Sequence, residues 1–219
     1  MKNNIQTIID YYHSELKKSQ VAKDYLKSRG ITKETIIKFK LGYAPPNPIY
    51  VPRFHDRLII PIYDAYGNPV GWTARTLINA HPKYVNTRES IEFQKSRLLF
   101  GYHLAKKAIV KSKCAILVEG QFDCLRLHQA GLFNTVASSG TAFKTSGAAL
   151  LSRYANKVYI AFDGDNAGNS AKIKAQKLLQ DLGVKTVLVN FPEGEDPDSY
   201  VYKYSAEIFK QLLRDSNDK

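Results

Sequence analysis

Carboxylates follow apolar segments in the second half of this chain, at spacings that would bring them together. Glu119 ends one apolar run, and Asp123 follows four residues later, in the first turn of a predicted helix. Asp163 and Asp165 end another run, and a spacing of two in an extended segment points both side chains to the same side. These positions suit a shared site for acid chemistry or metal binding.

A third pair, Asp196 and Asp198, follows the last apolar run, and Pro197 stiffens the loop that carries it. Carboxylates that lie together repel one another and raise each other's pKa unless a cation neutralises them. Their hard oxygen atoms suit Mg²⁺ or Mn²⁺, and such sites usually serve phosphate substrates. Two ions of this kind can stabilise both the attacking and the leaving oxygen of a phosphoryl transfer. The acids therefore predict a metal-dependent reaction at a phosphate.

Simpler interpretations exist for the individual acids. An Asp in the first turn of a helix, such as Asp123, commonly only caps the helix or interacts with its dipole. Asp163 and Asp165 precede a predicted helix and are of a residue type that forms turns. Turn chemistry alone does not explain why three loops converge on one crevice, and this convergence favours the metal-binding interpretation.

Four short apolar runs predict the strands that position these acids. They cover residues 114–120, 133–140, 157–165 and 185–190, and a helical stretch separates each run from the next. Strands that alternate with helices form βαβ units and a parallel sheet covered on both faces. Ligands bind such sheets in the crevice outside the carboxyl ends of the strands. The predicted fold class is therefore α/β, with the acids at the ligand-binding edge.

The first half of the chain predicts helices followed by a β-hairpin. One face of the first helix is defined by apolar residues at helical spacing, namely Ile5, Ile8, Ile9, Tyr12 and Leu16. The runs RLIIPIYD and VGWTARTL, joined by the turn AYGNP, predict two paired strands. Arg57 and Arg75 lie in these runs, where a guanidinium of fixed geometry on an exposed strand face suits a phosphate. Trp72 is predicted to lie in the core.

The chain is strongly basic, and the excess charge is unevenly distributed. Its 219 residues include 32 Lys and Arg against 20 Asp and Glu, and a net charge of +12 is typical of proteins that bind nucleic acids. Residues 1–113 hold 20 basic and 8 acidic residues, whereas residues 114–219 hold 12 of each. We therefore predict two domains with a boundary near Lys113, the first of which is basic.

Composition excludes several classes of protein. Hydrophobic residues at 44% and charged residues at 24% are ordinary for a folded chain and exclude a disordered one. Cys114 and Cys124 fit neither a disulfide framework nor a CxxC clip, which excludes a zinc ribbon within this chain. No apolar run has the length of a signal peptide or a membrane span, so we expect a cytoplasmic protein with no membrane partner. Without heptads we expect a monomer.

Four motifs, in this order, resemble the TOPRIM fold of topoisomerases and DnaG-type primases: LVEGQFDCL, VASSGTAF, YIAFDGDNAG and GEDPDS. The first half resembles the basic subdomain of DnaG-type primase cores in three segments: AKDYLKSRGITKETIIKFKLGYAPP, RFHDRLIIPIYDAYGNPVGWTARTL and PKYVNTRESIEFQKSRLLFGYHLA. The resemblance extends from about Tyr11 to Phe209. It implies a basic α+β subdomain, residues 1–113, packed on a TOPRIM-like parallel-sheet α/β domain, residues 114–219.

The resemblance implies a DNA-directed RNA polymerase of the primase type, which synthesises short RNA primers on single-stranded DNA from ribonucleoside triphosphates. It implies a metal cofactor, Mg²⁺ or Mn²⁺, with Glu119, Asp163 and Asp165 as catalytic and metal-binding acids. Asp196 is implied as a further metal ligand, and Asp123 and Asp198 as nearby members of the metal site in supporting roles. The family's basic face, which would hold template, primer or triphosphate, is matched by Arg29, Arg57, Arg75, Lys83, Tyr84, Asn86 and Lys95.

The resemblance does not include the zinc-binding and helicase-binding domains that DnaG-type primases usually carry. We therefore expect these functions on a partner or on a longer chain, with a replicative helicase and a separate zinc-binding primase domain as partners. The other expectation is a minimal primase of a phage or mobile element, which acts in the host cytoplasm. Two alternative functions stay open: a TOPRIM nuclease that hydrolyses a phosphodiester with the same acids, and a catalytically silent DNA-binding adaptor of a replication complex.

Overall fold

The chain divides into two compact units after Gln94. The structure, a computed structural model, describes residues 5–78, 81–90, 93–140 and 142–217. The division precedes the boundary near Lys113 that the charge distribution predicts, because the segment between them packs with the second unit: Phe100 pairs with Ala137 in an isolated antiparallel bridge. Residues 95–113 contain six basic and no acidic residues, so the excess positive charge is shared by both units.

The first unit combines helices with an antiparallel sheet in the order β1-β2-β3-β4. Its helices are α1 (Ile5–Lys18), α2 (Gln20–Ser28) and α3 (Lys33–Lys38). Its strands are β1 (Gly42–Ala44), β2 (Arg57–Tyr63), β3 (Pro69–Thr76) and β4 (Tyr84–Asn86). Strands β2 and β3 pair antiparallel along their length, which confirms the predicted hairpin.

The core of the first unit forms where the apolar face of α1 meets the sheet. Ile9 and Tyr12 are fully buried, and the ring of Tyr12 meets that of Trp72 edge-on at 5.9 Å between centroids. The ring of Phe54 also meets the indole edge-on, at 5.5 Å between centroids. The predicted helical face and the predicted core position of Trp72 are therefore both confirmed, and this core fixes the hairpin that carries Arg57 and Arg75.

The second unit is an α/β fold around a parallel sheet in the order β6-β5-β7-β8. Its strands are β5 (Cys114–Val118), β6 (Thr135–Ala137), β7 (Lys157–Ile160) and β8 (Lys185–Leu188). Its helices are α4 (Tyr102–Ser112), α5 (Gln121–Gln129), α6 (Thr145–Ser152), α7 (Asn166–Gln180), α8 (Pro197–Tyr204) and α9 (Ala206–Asn217). Each of the four apolar runs contains one strand, which confirms the predicted fold class.

The strand order explains why the acids meet. Strands β5 and β7 are neighbours at the centre of the sheet, and β8 lies beside β7, so the loops after these three strands leave the same edge. Within the described ranges, no helix is both long enough and apolar enough to cross a membrane.

Candidate metal centre and nucleic-acid interface

The loop after β5 carries Glu119 and is held in place by Asp123. Gly120 is the N-cap of α5, and its N–H donates a hydrogen bond of 2.8 Å to Asp123 Oδ2. A Cβ atom at Gly120 would lie 2.7 Å from that oxygen, so this close approach requires glycine. The other oxygen, Asp123 Oδ1, accepts a bond of 3.1 Å from the N–H of Asp198. Asp123 therefore joins the loop after β5 to the loop after β8.

Asp123 and Asp198 are both buried, and both bind protein partners. Burial raises the pKa of Asp123 well above its ordinary value, and the charges of Asp196 and Asp163 raise it further. Asp198 forms an ion pair in which Arg126 Nε donates to Asp198 Oδ1 at 2.7 Å, and both side chains are less than a tenth exposed. These contacts indicate that the two acids position the loops.

Helix α7 begins against Glu119 and Asp163. Asp165 is its N-cap and accepts a hydrogen bond of 2.7 Å from the N–H of Gly168. A Cβ atom at Gly168 would lie 2.4 Å from the main-chain oxygen of Asp163 and 3.0 Å from Glu119 Oε1. The absence of a side chain at this position lets the first turn of α7 approach both acids closely. The loops after β5 and β7 thus meet at the N-terminal end of α7.

Glu119 and Asp163 present carboxylate oxygens that the described part of the chain does not satisfy. Glu119 Oε1 and Asp163 Oδ1 are buried, and neither has a hydrogen-bond partner there. Burial and the charge of Asp163 together raise the pKa of Glu119 to about 6. Burial also raises the pKa of Asp163 to about 6, with contributions from Asp196 and Asp165. Unpaired buried oxygens of this kind are unfavourable unless a donor or a cation binds them.

Asp196 begins α8 in the loop after β8. Its side chain accepts a bond of 2.6 Å from the N–H of Ser199, and the two residues form a capping box. The N–H of Gly164 donates at 3.0 Å to the main-chain oxygen of Glu195, which joins this loop to the loop after β7. The three loops that the sequence predicts to converge are therefore connected by hydrogen bonds.

The donor set fits a hydrated divalent cation better than a site made entirely of protein ligands. In the described ranges, no group of three or more His, Cys, Asp or Glu side chains is arranged to hold a metal ion by itself. Mg²⁺ is usually bound by one or two carboxylates and keeps several waters. The unsatisfied oxygens of Glu119 and Asp163 match this kind of coordination. The residues therefore fit the metal that the sequence predicts.

A buried lysine that sequence reasoning missed lies beside these acids. Lys172 is only 2% exposed, and its Nζ donates a bond of 3.2 Å to Asn169 Oδ1. Burial lowers the pKa of Lys172, whereas the charges of Glu119 and Asp163 raise it. The sequence does indicate that Lys172 is buried, because it lies at helical spacing with the other buried residues of α7, Gly168, Ala175 and Leu179.

In the first unit, a cluster of aromatic and basic side chains lies along β3 and β4. The guanidinium of Arg75 lies over the ring of Tyr25 at 4.9 Å and over that of Tyr84 at 5.6 Å. Lys83 Nζ lies 6.0 Å from the centroid of Tyr84, whose side chain is 41% exposed. Tyr25 was not predicted, although it lies on an amphipathic helix, α2. The structure thus brings together three predicted residues and one that sequence reasoning missed.

The other residues predicted for the basic face lie apart from this cluster or serve the sheet itself. Arg57 Nη1 donates at 3.0 Å to the main-chain oxygen of Pro82, and Asn86 Oδ1 accepts at 2.9 Å from Thr73 Oγ1. These bonds order the segment around β4. Arg29 is half-buried at the end of α2. Lys95 belongs to the second unit, where burial lowers its pKa.

The two halves of the chain match different known protein families. Residues 11–51 and 47–106 match the family described as DNA primase catalytic core, N-terminal domain. Residues 116–201 match the family described as Toprim-like. The DNA primase of Aquifex aeolicus is 36% identical over 242 residues, which cover 98% of this chain and 49% of that protein. The DNA primase of Clostridium acetobutylicum is 34% identical, covering 94% of this chain and 39% of that protein.

Solved structures match with the same coverage of the chain. The zinc-binding and RNA polymerase domains of the Aquifex aeolicus primase have a TM-score of 0.91 and 37% identity, covering 97% of this chain and 60% of that one. A DnaG catalytic core has a TM-score of 0.88 and 30% identity, covering 97% and 78%. A DnaG primase catalytic domain bound to single-stranded DNA has a TM-score of 0.88 and 29% identity, covering 97% and 79%. The chain spans about half or less of the length of the curated relatives named above.

Proposed function

This chain belongs to the DnaG family of DNA primases, and from that premise we propose that it synthesises short RNA primers on single-stranded DNA. The reaction is a metal-dependent nucleotidyl transfer from ribonucleoside triphosphates. The observation that carries the proposal is the pair of buried, unsatisfied oxygens, Glu119 Oε1 and Asp163 Oδ1, at the ligand-binding edge of the parallel sheet.

Within this proposal, Glu119 and Asp163 hold the cation, and Asp165 and Asp196 add negative charge beside it. A bound Mg²⁺ or Mn²⁺ supplies the positive charge that stabilises the transferring phosphate and the departing pyrophosphate. Without a cation the pKa of Glu119 is about 6, so this carboxylate is mostly ionised at neutral pH and can bind the cation. Asp123 keeps the loops in register through its two main-chain bonds.

We further propose that the first unit holds the template strand. Arg75 and Lys83 provide positive charge for phosphates, and the exposed ring of Tyr84 provides a surface on which a base can stack. A related catalytic domain has been captured with single-stranded DNA, which supports this assignment. A replicative helicase and a separate zinc-binding domain stay predicted partners, and the monomeric state, the cytoplasmic location and the phage origin stay predictions.

Primer synthesis is tested by incubating the purified chain with single-stranded DNA, Mn²⁺ or Mg²⁺ and labelled ribonucleoside triphosphates. We expect short RNA products, and we expect Glu119→Gln to lower their yield by more than about a hundredfold while DNA binding is retained. The matched control is Glu193→Gln, which removes an exposed carboxylate from the loop after β8.

The outcome of this assay also separates the alternative functions. DNA cleavage without triphosphates would replace the proposal with a TOPRIM nuclease. DNA binding with neither products nor cleavage would favour the silent adaptor. Residues 11–51 and 47–106 match the family of DNA primase catalytic cores, and this match supports primer synthesis over the nuclease and the silent adaptor.

A further inference from the structure

Lys172 brings a full positive charge into the interior of the second unit. The residue is 2% exposed and lies on the buried face of α7, one turn after Gly168, which touches Glu119 and Asp163. Its ammonium group donates a hydrogen bond of 3.2 Å to a neutral acceptor, Asn169 Oδ1. An amide oxygen alone compensates little of the cost of burying an ammonium group.

The charges that compensate Lys172 are those of the candidate metal centre. Its ammonium group is attracted by Glu119, Asp163 and Asp165. Asp196 adds a further negative charge beside Asp163, so the ammonium group offsets only part of the negative charge of the centre.

We propose that Lys172 is a fixed counter-charge of the metal centre, which weakens the binding of the divalent cation. This inference rests on the proposed function, because it concerns the same centre. The ammonium group repels an incoming cation, so the affinity of the site falls. It also attracts Glu119 and Asp163 when no cation is bound, so the loops keep their positions between binding events.

The test is a titration of the folded chain with Mn²⁺, with free Mn²⁺ followed by electron paramagnetic resonance. The variants Lys172→Met and Lys172→Gln both remove the charge. One new side chain is apolar and the other polar, so the test does not depend on one variant folding. Lys174→Met is the matched control, because Lys174 lies on the same helix with the same charge but is exposed. Circular dichroism confirms that each variant is folded.

We expect the original chain to bind Mn²⁺, and we expect both neutral variants to bind it about tenfold more tightly. Lys174→Met should bind like the original chain. Unchanged or weaker binding in folded Lys172 variants would overturn this inference and leave the proposed function intact. Failure of every chain, including the original, to bind Mn²⁺ would overturn the proposed metal centre itself.

Discussion

Replacing Asp163 by Asn should stabilise the protein when no divalent cation is present. Burial and the neighbouring Asp196 and Asp165 raise the pKa of Asp163 from 3.8 to about 6. One unit of pKa corresponds to about 1.4 kcal/mol, so ionising this group at pH 8 costs the folded state at most about 3 kcal/mol relative to the unfolded chain. Asp163→Asn keeps the shape of the side chain and removes the charge. Because Asp163 is partly exposed and solvent screens its neighbours, the gain expected in the free energy of unfolding at pH 8 is about 1–3 kcal/mol.

The pH dependence gives this prediction its sign. Below pH 3.8 the carboxyl group is protonated in both the folded and the unfolded states, and the substitution should then have little effect. Between pH 3.8 and about 6 the unfolded chain ionises first, so the folded state of the original chain loses stability as the pH rises. Above pH 6 the group is ionised in both states, and the full difference in stability between Asp163→Asn and the original chain is present. Glu119, whose pKa is also raised to about 6, adds to the same loss.

Urea unfolding followed by far-UV circular dichroism in EDTA, from pH 4 to pH 8, measures these free energies. Asp181→Asn, at an exposed carboxylate at the end of α7, is the control and should change the free energy of unfolding by less than about 0.5 kcal/mol. Equal stability of Asp163→Asn and the original chain at pH 8 would refute the reasoning. So would a gain of the same size at pH 4, since it would then come from packing and not from charge.

Further expectations concern the loops and the template-binding face. Arg126→Met removes the ion pair of the buried Asp198 and should lower the free energy of unfolding by about 3–5 kcal/mol, as urea unfolding can measure. Adding Asp198→Asn should restore most of the loss. Gly168→Ala places a methyl group 2.4 Å from the main-chain oxygen of Asp163, and the same assay should show a loss of about 1–3 kcal/mol. Tyr84→Ala should weaken single-stranded DNA binding about tenfold in a fluorescence-anisotropy titration, and Tyr84→Phe should not, because base stacking needs only the ring.

Much of the fold follows from the sequence because its patterns are local. The four apolar runs of the second half become β5 to β8, and their alternation with helices is sufficient to specify a parallel sheet. The fold also shows why a proline is tolerated at position 61 within β2. β1 pairs only with Arg57 to Ile59, so Pro61 has a partner strand on one side only, β3, and it lies close to the register shift that follows Ile62. The charge distribution predicts a boundary near Lys113, whereas packing divides the chain after Gln94, because charge does not report which sheet a segment joins.

The partners of buried charges could not be predicted, because they come from distant parts of the chain. Arg126 and Asp198 are separated by 72 residues and meet only when α5 packs against α8. Lys172 carried a local signal, its place on the buried face of α7, but the spacing does not show what lies opposite. Periodicity identifies a buried position, and only the three-dimensional fold identifies the group that makes a charge tolerable there.

The acids differ in whether their side chains bond to the start of a helix, and the sequence motifs do not show this difference. Asp165 and Asp196 are N-caps, so each accepts a main-chain N–H of the helix that it begins. Asp123, three residues after the N-cap of α5, bonds back to the N–H of that N-cap. Glu119 and Asp163 come before the N-caps of α5 and α7, and one carboxylate oxygen of each has no hydrogen-bond partner within the described ranges. An acid at the end of a strand, before the helix begins, therefore keeps an oxygen available for a cation. The acids at the helix starts use their oxygens to accept main-chain N–H groups, and these bonds fix the loops.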